Sequence, residues 1–352
     1  MMFSFKKNPI VGLDLGSSSV KLVQLKESGK GLQLVKLGIV SLEPEVVVDG
    51  AIMNHGQMAD AIRTLMEEQK LKSCDVVLSV SGHSVIIKRI TLPTMSEEEL
   101  SESIKWEAEQ YIPFAIDDVN LDFQILGQTE KEGQMDVLLV AVKRDKINDY
   151  LSVVTEAGLN PVVVDVDAFA LENMYEINYE QGSEEVIALV NLGATVMNIN
   201  IMKGGTSTFT RDSTIGGHHY TEAIQKEFNL TYEDAERVKR GEEVKGITQD
   251  QLKPLFDSLN DDLLTEVYRS LDFFRATSTS EHIDRVVLSG GGSKVPGLVG
   301  ALSERLELPV EMVNPFKNIT VDSKAFDFEY LQDIGPTMAV AVGLAMRRVG
   351  DR

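Results

Sequence analysis

The chain has 352 residues, of which 43% are hydrophobic and 25% are charged, and its formal net charge is −21. This length is long for one compact core and comfortable for two. A surface this acidic repels nucleic acid and anionic lipid, so we predict that nucleic acid is not a partner. No run approaches the ~20 apolar residues of a membrane span, and the first residues are too few for a secretory signal, which predicts a cytosolic protein.

Metal binding by protein side chains alone is disfavoured. Cys74 is the single cysteine, which excludes an intramolecular disulfide and a cysteine-cluster zinc site. We interpret Cys74 as a small buried hydrophobic residue. His218 and His219 are adjacent, and neighbours on a helix point about 100° apart, so they form a poor pair of metal ligands.

The first half of the chain alternates strand and helix patterns. Strands are predicted at 10–15, 20–26, 32–41, 76–80, 85–92, 120–126, 135–142 and 162–166, and helices at 56–70, 95–114, 145–157 and from 168. The helix at 95–114 has the clearest beginning, because Ser96 and Glu99 form a capping box. Pro113 is predicted to end it.

Near residue 184 the opening pattern begins again. Strands are predicted at 186–192, 195–202, 206–211 and 283–288, and helices at 220–240, 248–275, 295–306 and 337–348. Strands and helices interleave in both halves, which indicates the α/β class. Residues 14–20 also align with residues 191–197 at an offset of 177, the separation of Gly16 and Gly193. Chance could give one such match, but the surrounding strand pattern favours an internal duplication.

The first of these glycine turns suits phosphate. Gly16 permits close approach, and the exposed backbone N–H groups of such a turn form an anion-binding concavity. Hydroxyls that could donate to the same oxygens belong to Ser17, Ser18 and Ser19. Asp14 would repel phosphate unless Mg²⁺ lies between them, often through water, and Lys21 could supply positive charge. A plain β-hairpin with a solvated Asp and Lys remains the alternative.

A third glycine motif follows a later apolar strand. It runs Gly290-Gly291-Gly292-Ser293-Lys294 and precedes a helix, so backbone without Cβ could lie against a flat ring or a phosphate. The motif fits neither a P-loop nor GxGxxG. An ordinary glycine-rich connection is the alternative, but three such sites in order are more specific than one.

Together the motifs resemble the superfamily of sugar kinases, Hsp70 and actin. The resembling segments are the phosphate turns at 12–18 and 191–195, the adenosine motif at 288–294, and the hinge elements at 165–170 and 335–345. In the FtsA and MreB branch an Ala-Glu-x-x-Lys helix contacts the nucleoside, and residues 235–239 match it. The resemblance implies ATP or ADP with Mg²⁺, the metal held by Asp14 through water. It implies a nucleotide site at Asp14, Gly16, Ser17, Ser18, Ser19, Lys21, Asn191, Gly193, Ala194, Thr195, Gly216, Gly217, Glu236, Lys239, Gly290, Gly291, Gly292, Ser293 and Lys294.

A longer run resembles the PilM family of type IV pilus assembly proteins. Its distinctive parts are residues 80–82, 90–93, 95–100 and 104–114. The resemblance covers nearly the whole chain and implies a two-lobed actin-like ATPase fold, with duplicated RNase H-like cores and an FtsA-type inserted subdomain 1C. The implied division is 1A at 1–88 and 146–183, 1C at 89–145, 2A at 184–218 and 263–352, and 2B at 219–262.

The same family implies a partner and a place in the cell. Its members capture the N-terminal cytoplasmic peptide of PilN in a groove between 1A and 1C. They thereby join the PilN–PilO complex at the inner membrane, an indirect membrane association, and communicate with the pilus motor ATPases. Candidate groove residues are Val85, Ile87, Trp106 and Tyr111, and the strand at 85–92 could offer an edge for peptide addition. Trp106 could face the partner or pack against 1A, and both interpretations stay open.

One departure from the superfamily pattern concerns hydrolysis. The second phosphate turn usually carries Asp, and here it carries Asn191, which keeps an acceptor oxygen but loses the charge. The site should then bind nucleotide with at most weak ATPase activity. Two alternative functions remain. One is a small-molecule kinase, for which the sequence offers no convincing catalytic Asp, because hinge packing and helix capping explain Asp165 and Asp167 better. The other is a filament-forming division protein like FtsA.

Overall fold

The first lobe is built on a mixed five-stranded sheet. The computed structural model describes residues 9–29, 31–48, 50–129, 131–277 and 282–351. The first half contains β1 (Ile10–Leu15), β2 (Ser19–Ser28), β3 (Gly31–Ser41), β4 (Val47–Val48), β5 (Ala51–Ile52), α1 (His55–Glu68), β6 (Asp75–Val80), β7 (Val85–Pro93), α2 (Glu97–Ala108), β8 (Val119–Gln128), β9 (Gln134–Lys143), α3 (Arg144–Glu156), β10 (Asn160–Val166) and α4 (Asp167–Asn178). The sheet order is β10-β6-β1-β2-β3.

The second lobe repeats this plan. It contains β11 (Val186–Leu192), β12 (Met197–Lys203), β13 (Thr206–Ser213), α5 (Gly217–Phe228), α6 (Tyr232–Lys239), α7 (Gln249–Thr277), β14 (Arg285–Ser289), α8 (Leu298–Leu306), β15 (Val310–Met312), α9 (Phe328–Ile334) and α10 (Ala339–Met346). Its sheet order is β13-β12-β11-β14-β15, which matches β3-β2-β1-β6-β10 strand for strand.

The register of the two opening hairpins is also the same. Leu15 lies opposite Val20 in the first lobe, and Leu192 lies opposite Met197 in the second. The N–H of each turn glycine donates across the turn at the same relative position, to Ser19 in one lobe and to Val196 in the other. The predicted repeat at an offset of 177 residues is therefore confirmed in topology and register.

Helices α4 and α10 lie between the two sheets and share one core with them. The sequence of α10 is apolar throughout and its residues are buried up to Ala345, so it can pack on both sides at once. Close approach depends on missing side chains: a Cβ on Gly343 would lie 1.7 Å from the carbonyl oxygen of Ala170 in α4. A Cβ on Gly12 of β1 would lie 2.4 Å from the carbonyl oxygen of Ala341.

A separate sheet, in the order β7-β9-β8, forms the core of the inserted region together with α2. The capping box of Ser96 and Glu99 is present, and Leu100 and Ile104 are buried against the sheet. The helix ends at Ala108, earlier than predicted, and a turn carries the chain on to the proline.

Three further predicted helices differ from the structure. The single helix predicted at 220–240 is two helices, because Asn229 adopts a left-handed conformation with φ of 51° and Thr231 caps α6 afresh. The helix predicted from 295 begins at Leu298, after Gly297 with φ of 81°. The last helix begins with a 3₁₀ turn, Gly335–Met338, and ends at Met346.

One expectation from composition is confirmed: Cys74 is fully buried, and burial raises the pKa of its thiol to about 12. Among the described residues, none of the helices is long and apolar enough to cross a membrane. The same ranges contain no group of three or more His, Cys, Asp or Glu side chains that could hold a metal ion.

Candidate functional site

The two glycine turns meet in the cleft between the lobes. The β1–β2 turn carries Ser17 and the β11–β12 turn carries Thr195, and their hydroxyl oxygens are 2.8 Å apart, within hydrogen-bond distance. Ser18 is exposed and Ser19 is buried beside them. Residues 178 positions apart in sequence therefore form one polar surface that bridges the lobes.

The first turn contains a nearly buried ion pair. Asp14 and Lys21 are cross-strand neighbours, and the Nζ atom of Lys21 donates to Oδ2 of Asp14 at 2.9 Å. Their side chains are 14% and 11% exposed, so the attraction is only weakly screened by water. The positive charge of Lys21, which could balance a phosphate, is therefore paired with Asp14.

The second turn has no charge at the matching positions. Asn191 takes the place of Asp14 and Asn198 takes the place of Lys21. Nδ2 of Asn191 donates to Oδ1 of Asn198 at 3.0 Å, so an amide pair replaces the ion pair. The hydroxyl of Ser289 on β14 also donates to Asn191 Oδ1, at 3.3 Å.

This amide pair continues into a contact between the lobes that the sequence did not indicate. Nδ2 of Asn198 donates to Oδ1 of Asp212 on β13 at 2.8 Å. The other carboxylate oxygen of Asp212 accepts the backbone N–H of Gly82, in the first lobe, at 2.6 Å. Burial raises the pKa of Asp212, and the hydrogen bonds from Asn198 and Gly82 act in the opposite direction.

The two acidic residues of the first hinge element have different surroundings. Asp165, at the end of β10, pairs with Arg347 at 3.0 Å, beyond α10. Asp167 begins α4 and accepts the hydroxyl of Ser79 at 2.6 Å. Burial, and then the nearby charge of Asp14, raises the pKa of Asp167 to about 6. Asp165 thus joins the end of β10 to the residue that follows α10, whereas Asp167 is close enough to the first glycine turn for the charge of Asp14 to act on it.

The glycine-rich motif packs directly on the second turn. Gly290 has φ of 84°, and a Cβ there would lie 2.3 Å from the carbonyl oxygen of Leu192. Its N–H donates to the carbonyl of Pro336 at 2.7 Å, which joins the motif to the second hinge element. Gly291–Lys294 form a 3₁₀ turn in which Ser293 is buried. The Nζ atom of Lys294 pairs with Oδ1 of Asp333 on α9 at 2.6 Å, so the charge of Lys294 is paired with α9 and not with the turns.

The beginning of α5 completes this side of the cleft. A Cβ on Gly216 would lie 2.5 Å from the carbonyl oxygen of Ala194, so only glycine fits where the chain crosses the second turn. The N–H of Gly217 donates to the carbonyl of Gly193 at 2.9 Å. The positive end of the helix dipole therefore lies at the second phosphate turn, where it favours an anion.

The Ala-Glu-x-x-Lys motif lies behind α5 as a closed polar cluster. Nζ of Lys239 donates to Glu236 at 2.5 Å, to Thr221 at 2.8 Å and to the carbonyl of Gly217 at 3.2 Å. These contacts use all three ammonium protons. Burial acts to raise the pKa of Glu236, but the Lys239 charge and hydrogen bonds outweigh it, and the pKa is lowered.

The four candidate groove residues lie on two faces of the inserted sheet. Val85 and Ile87 pack partly against the first-lobe core, whereas Tyr111 packs against the core of the inserted sheet, with Lys88 Nζ 5.5 Å from its ring centroid. Trp106 is 74% exposed, so in this structure it does not pack against the first lobe. Strand β7 is an edge of its sheet and could accept an added strand.

Comparison with known proteins identifies the family. A sequence model of the type IV pilus assembly protein PilM matches residues 12–349. The chain belongs to the PilM family. It is 34% identical to a solved structure described as a PilM–PilN type IV pilus biogenesis complex, with a TM-score of 0.83, over 97% of this chain and 99% of that one.

More distant similarities identify the fold. The chain is 23% identical to the cell division protein FtsA of Pseudomonas aeruginosa, over 87% of this chain and 83% of FtsA. It resembles MreB5 of Spiroplasma citri, solved with AMPPNP, at 14% identity and a TM-score of 0.50, over 96% of this chain and 95% of that one. The predicted two-lobed actin-like fold is therefore confirmed.

Proposed function

We propose that this protein is a nucleotide-binding scaffold of type IV pilus assembly, whose cleft holds ATP or ADP. The observation that carries the proposal is the meeting of the two glycine turns through Ser17 and Thr195, with the glycine-rich motif packed on the second turn. Two hydroxyls and the positive end of the α5 dipole lie at this junction, which suits phosphate oxygens.

The residues present fit a nucleotide with a magnesium ion. Gly193 and Gly290 let the second turn and the glycine-rich motif pack closely, because a Cβ at either would strike a backbone carbonyl oxygen of the protein itself. Asp14 offers a carboxylate for water-mediated contact with Mg²⁺. Bound Mg²⁺ would neutralise phosphate charge. Asn191 supplies no second carboxylate, so we propose tight holding of nucleotide with at most weak hydrolysis.

Nucleotide should also change the angle between the lobes. The hydroxyls of Ser17 and Thr195 are 2.8 Å apart, which leaves no space for a phosphate oxygen between them. A phosphate that takes both hydroxyls as donors must therefore replace the hydrogen bond between them, which is a direct contact between the two lobes. Because α4 and α10 are shared by both lobes, we propose that losing this contact lets the lobes move about these helices.

The proposed partner is the N-terminal cytoplasmic peptide of PilN, the protein named with the similar PilM structure. We place it at the β7 edge, between subdomain 1A (1–88 and 146–183) and subdomain 1C (89–145), with Val85, Ile87, Trp106 and Tyr111 as candidate contacts. The remaining residues form 2A (184–218 and 263–352) and 2B (219–262). Through PilN the protein would join the PilN–PilO complex at the cytoplasmic side of the inner membrane and communicate with the motor ATPases.

Nucleotide binding is tested by removing one hydroxyl. Thr195→Val keeps the side-chain shape, and losing a hydrogen bond to a charged phosphate should weaken ATP binding about tenfold or more in a calorimetric titration. Thr208→Val is the matched control, because that hydroxyl bonds to the carbonyl of Ile201, outside the cleft. Equal ATP affinities for the two variants would contradict the proposed site.

Coupling is tested by measuring the affinity of a synthetic PilN N-terminal peptide with ATP, with ADP and without nucleotide. The expected result is a difference of about fivefold or more between at least two states. Identical affinities in all three conditions would contradict a nucleotide-responsive scaffold, although a plain scaffold would remain.

A further inference from the structure

A continuous chain of hydrogen bonds runs from the second phosphate turn to the beginning of β7. It starts at the Asn191 amide, passes through Asn198 to Asp212, and crosses between the lobes to the N–H of Gly82. The carbonyl of Gly82 then accepts the N–H of Val85 at 2.9 Å, the first residue of β7. Each link is between 2.6 and 3.0 Å long.

The chain is well placed to transmit a movement. Asn198 is 3% exposed, and Asp212 is partly buried, so water competes poorly for these groups. Strand β13, which carries Asp212, lies against β7. Gly82 has φ of 86°, a conformation that glycine adopts without strain, and it joins this turn to β7 and to Asp212 through its backbone carbonyl and N–H.

We propose that Asp212 is a positioning residue that couples the nucleotide cleft to the peptide-binding edge of β7. The inference rests on the proposed function and names how its two sites communicate. When phosphate replaces the hydrogen bond between Ser17 and Thr195, the resulting movement of the second lobe carries Asp212 with it. The hydrogen bond to a carboxylate is stronger than a neutral one, so Gly82 follows and the beginning of β7 moves.

The alternative to this movement is unfavourable. If β7 stayed in place, the Gly82 N–H would lose its acceptor and Asp212 would keep a partly buried carboxylate with one fewer donor. Leaving such groups without partners destabilises the state in which they occur. The position of the beginning of β7 therefore depends on the arrangement of the lobes that nucleotide favours, which is the condition for coupling between the two sites.

The test compares coupling ratios, each defined as the peptide dissociation constant without nucleotide divided by that with ATP. In Asp212→Ala the ratio should fall to within about twofold of one, while the wild-type ratio departs from one by about fivefold or more. Asp212→Asn keeps a neutral acceptor for Gly82, so its ratio should lie between the two. Glu266→Ala is the matched control, because it removes the partner of the neighbouring Arg211 and leaves the wild-type ratio unchanged.

The outcomes separate this inference from the proposed function. A wild-type ratio of one overturns nucleotide-responsive capture itself. A wild-type ratio far from one that persists in both Asp212 variants overturns the role of Asp212 and leaves the proposed function intact. Thermal unfolding identifies a variant that has lost its fold. If Asp212→Ala proves to be unfolded, a coupling ratio in Asp212→Asn equal to that of the wild type overturns the inference by itself. A general structural role would lower peptide affinity equally in all nucleotide states and leave the ratio unchanged.

Discussion

Replacing Glu172 by glutamine should remove a pH dependence of stability that is built into the region between the lobes. Glu172 lies on α4 near Asn200 of β12 and Ser207 of β13, and its Oε2 atom is buried without a hydrogen-bond partner among the described residues. Burial, and then the charge of Glu176, raises the pKa of Glu172 from 4.5 to about 7. Glutamine keeps the shape of the side chain and one acceptor oxygen but cannot ionise.

The magnitude follows from the difference in pKa between the folded and unfolded states. Between pH 4.5 and about 7 the folded protein keeps a proton on Glu172 that the unfolded chain has lost. Rising pH therefore favours unfolding, at about 1.4 kcal/mol per pH unit, and the loss is complete above the folded pKa. The whole effect is about 3 kcal/mol.

The assay is urea unfolding of the wild type and Glu172→Gln at a series of pH values from 4 to 8. The difference between their free energies of unfolding cancels the other titrating groups, and it should grow in favour of Glu172→Gln as the pH rises. Glu180→Gln, at an exposed position after α4, is the control and should show no such trend. A difference that does not change with pH would refute the reasoning.

Two further predictions concern packing and the polar cluster behind α5. In a thermal unfolding assay, Gly343→Ala should destabilise the protein by about 3 kcal/mol or more, because the new Cβ would lie 1.7 Å from the carbonyl oxygen of Ala170. Gly300→Ala is the control: its Cβ would meet no atom within 4 Å, so this variant should be neutral or stabilising. Lys239→Met should destabilise by about 3 kcal/mol because it removes the buried charged partner of Glu236 and leaves only Thr221 and the exposed Arg240 in contact with it. Adding Glu236→Gln should recover most of that loss, and equal stability of the single and double variants would contradict the pairing.

The fold could be predicted largely from the sequence because its repeat is visible there. The alignment of Gly16 with Gly193 implied two related lobes, and the strand order and register agree. Helix boundaries were less accessible. The break at Asn229 depends on a left-handed conformation, which asparagine tolerates but which its presence in a sequence does not predict. The short α9 and β15 have too few residues for a periodic signal.

The cleft was predictable in its backbone and less so in its side chains. The turns and the glycine-rich motif converge because glycines are required where one segment crosses another closely, as at Gly216 and Gly290. Lys294 fits the superfamily motif by position, yet it pairs with Asp333, a contact set by the packing of α9. Asp212 had no local signal, because its importance comes from a strand pairing and a contact with the other lobe.

The central claim, that nucleotide and partner binding are linked through the cleft, is tested most directly by titrating ATP in the absence and in the presence of saturating PilN N-terminal peptide. Linkage requires that the peptide change the ATP dissociation constant by the same factor by which ATP changes that of the peptide, and we expect this factor to be about five or more. An ATP affinity that is the same with and without peptide would contradict the claim.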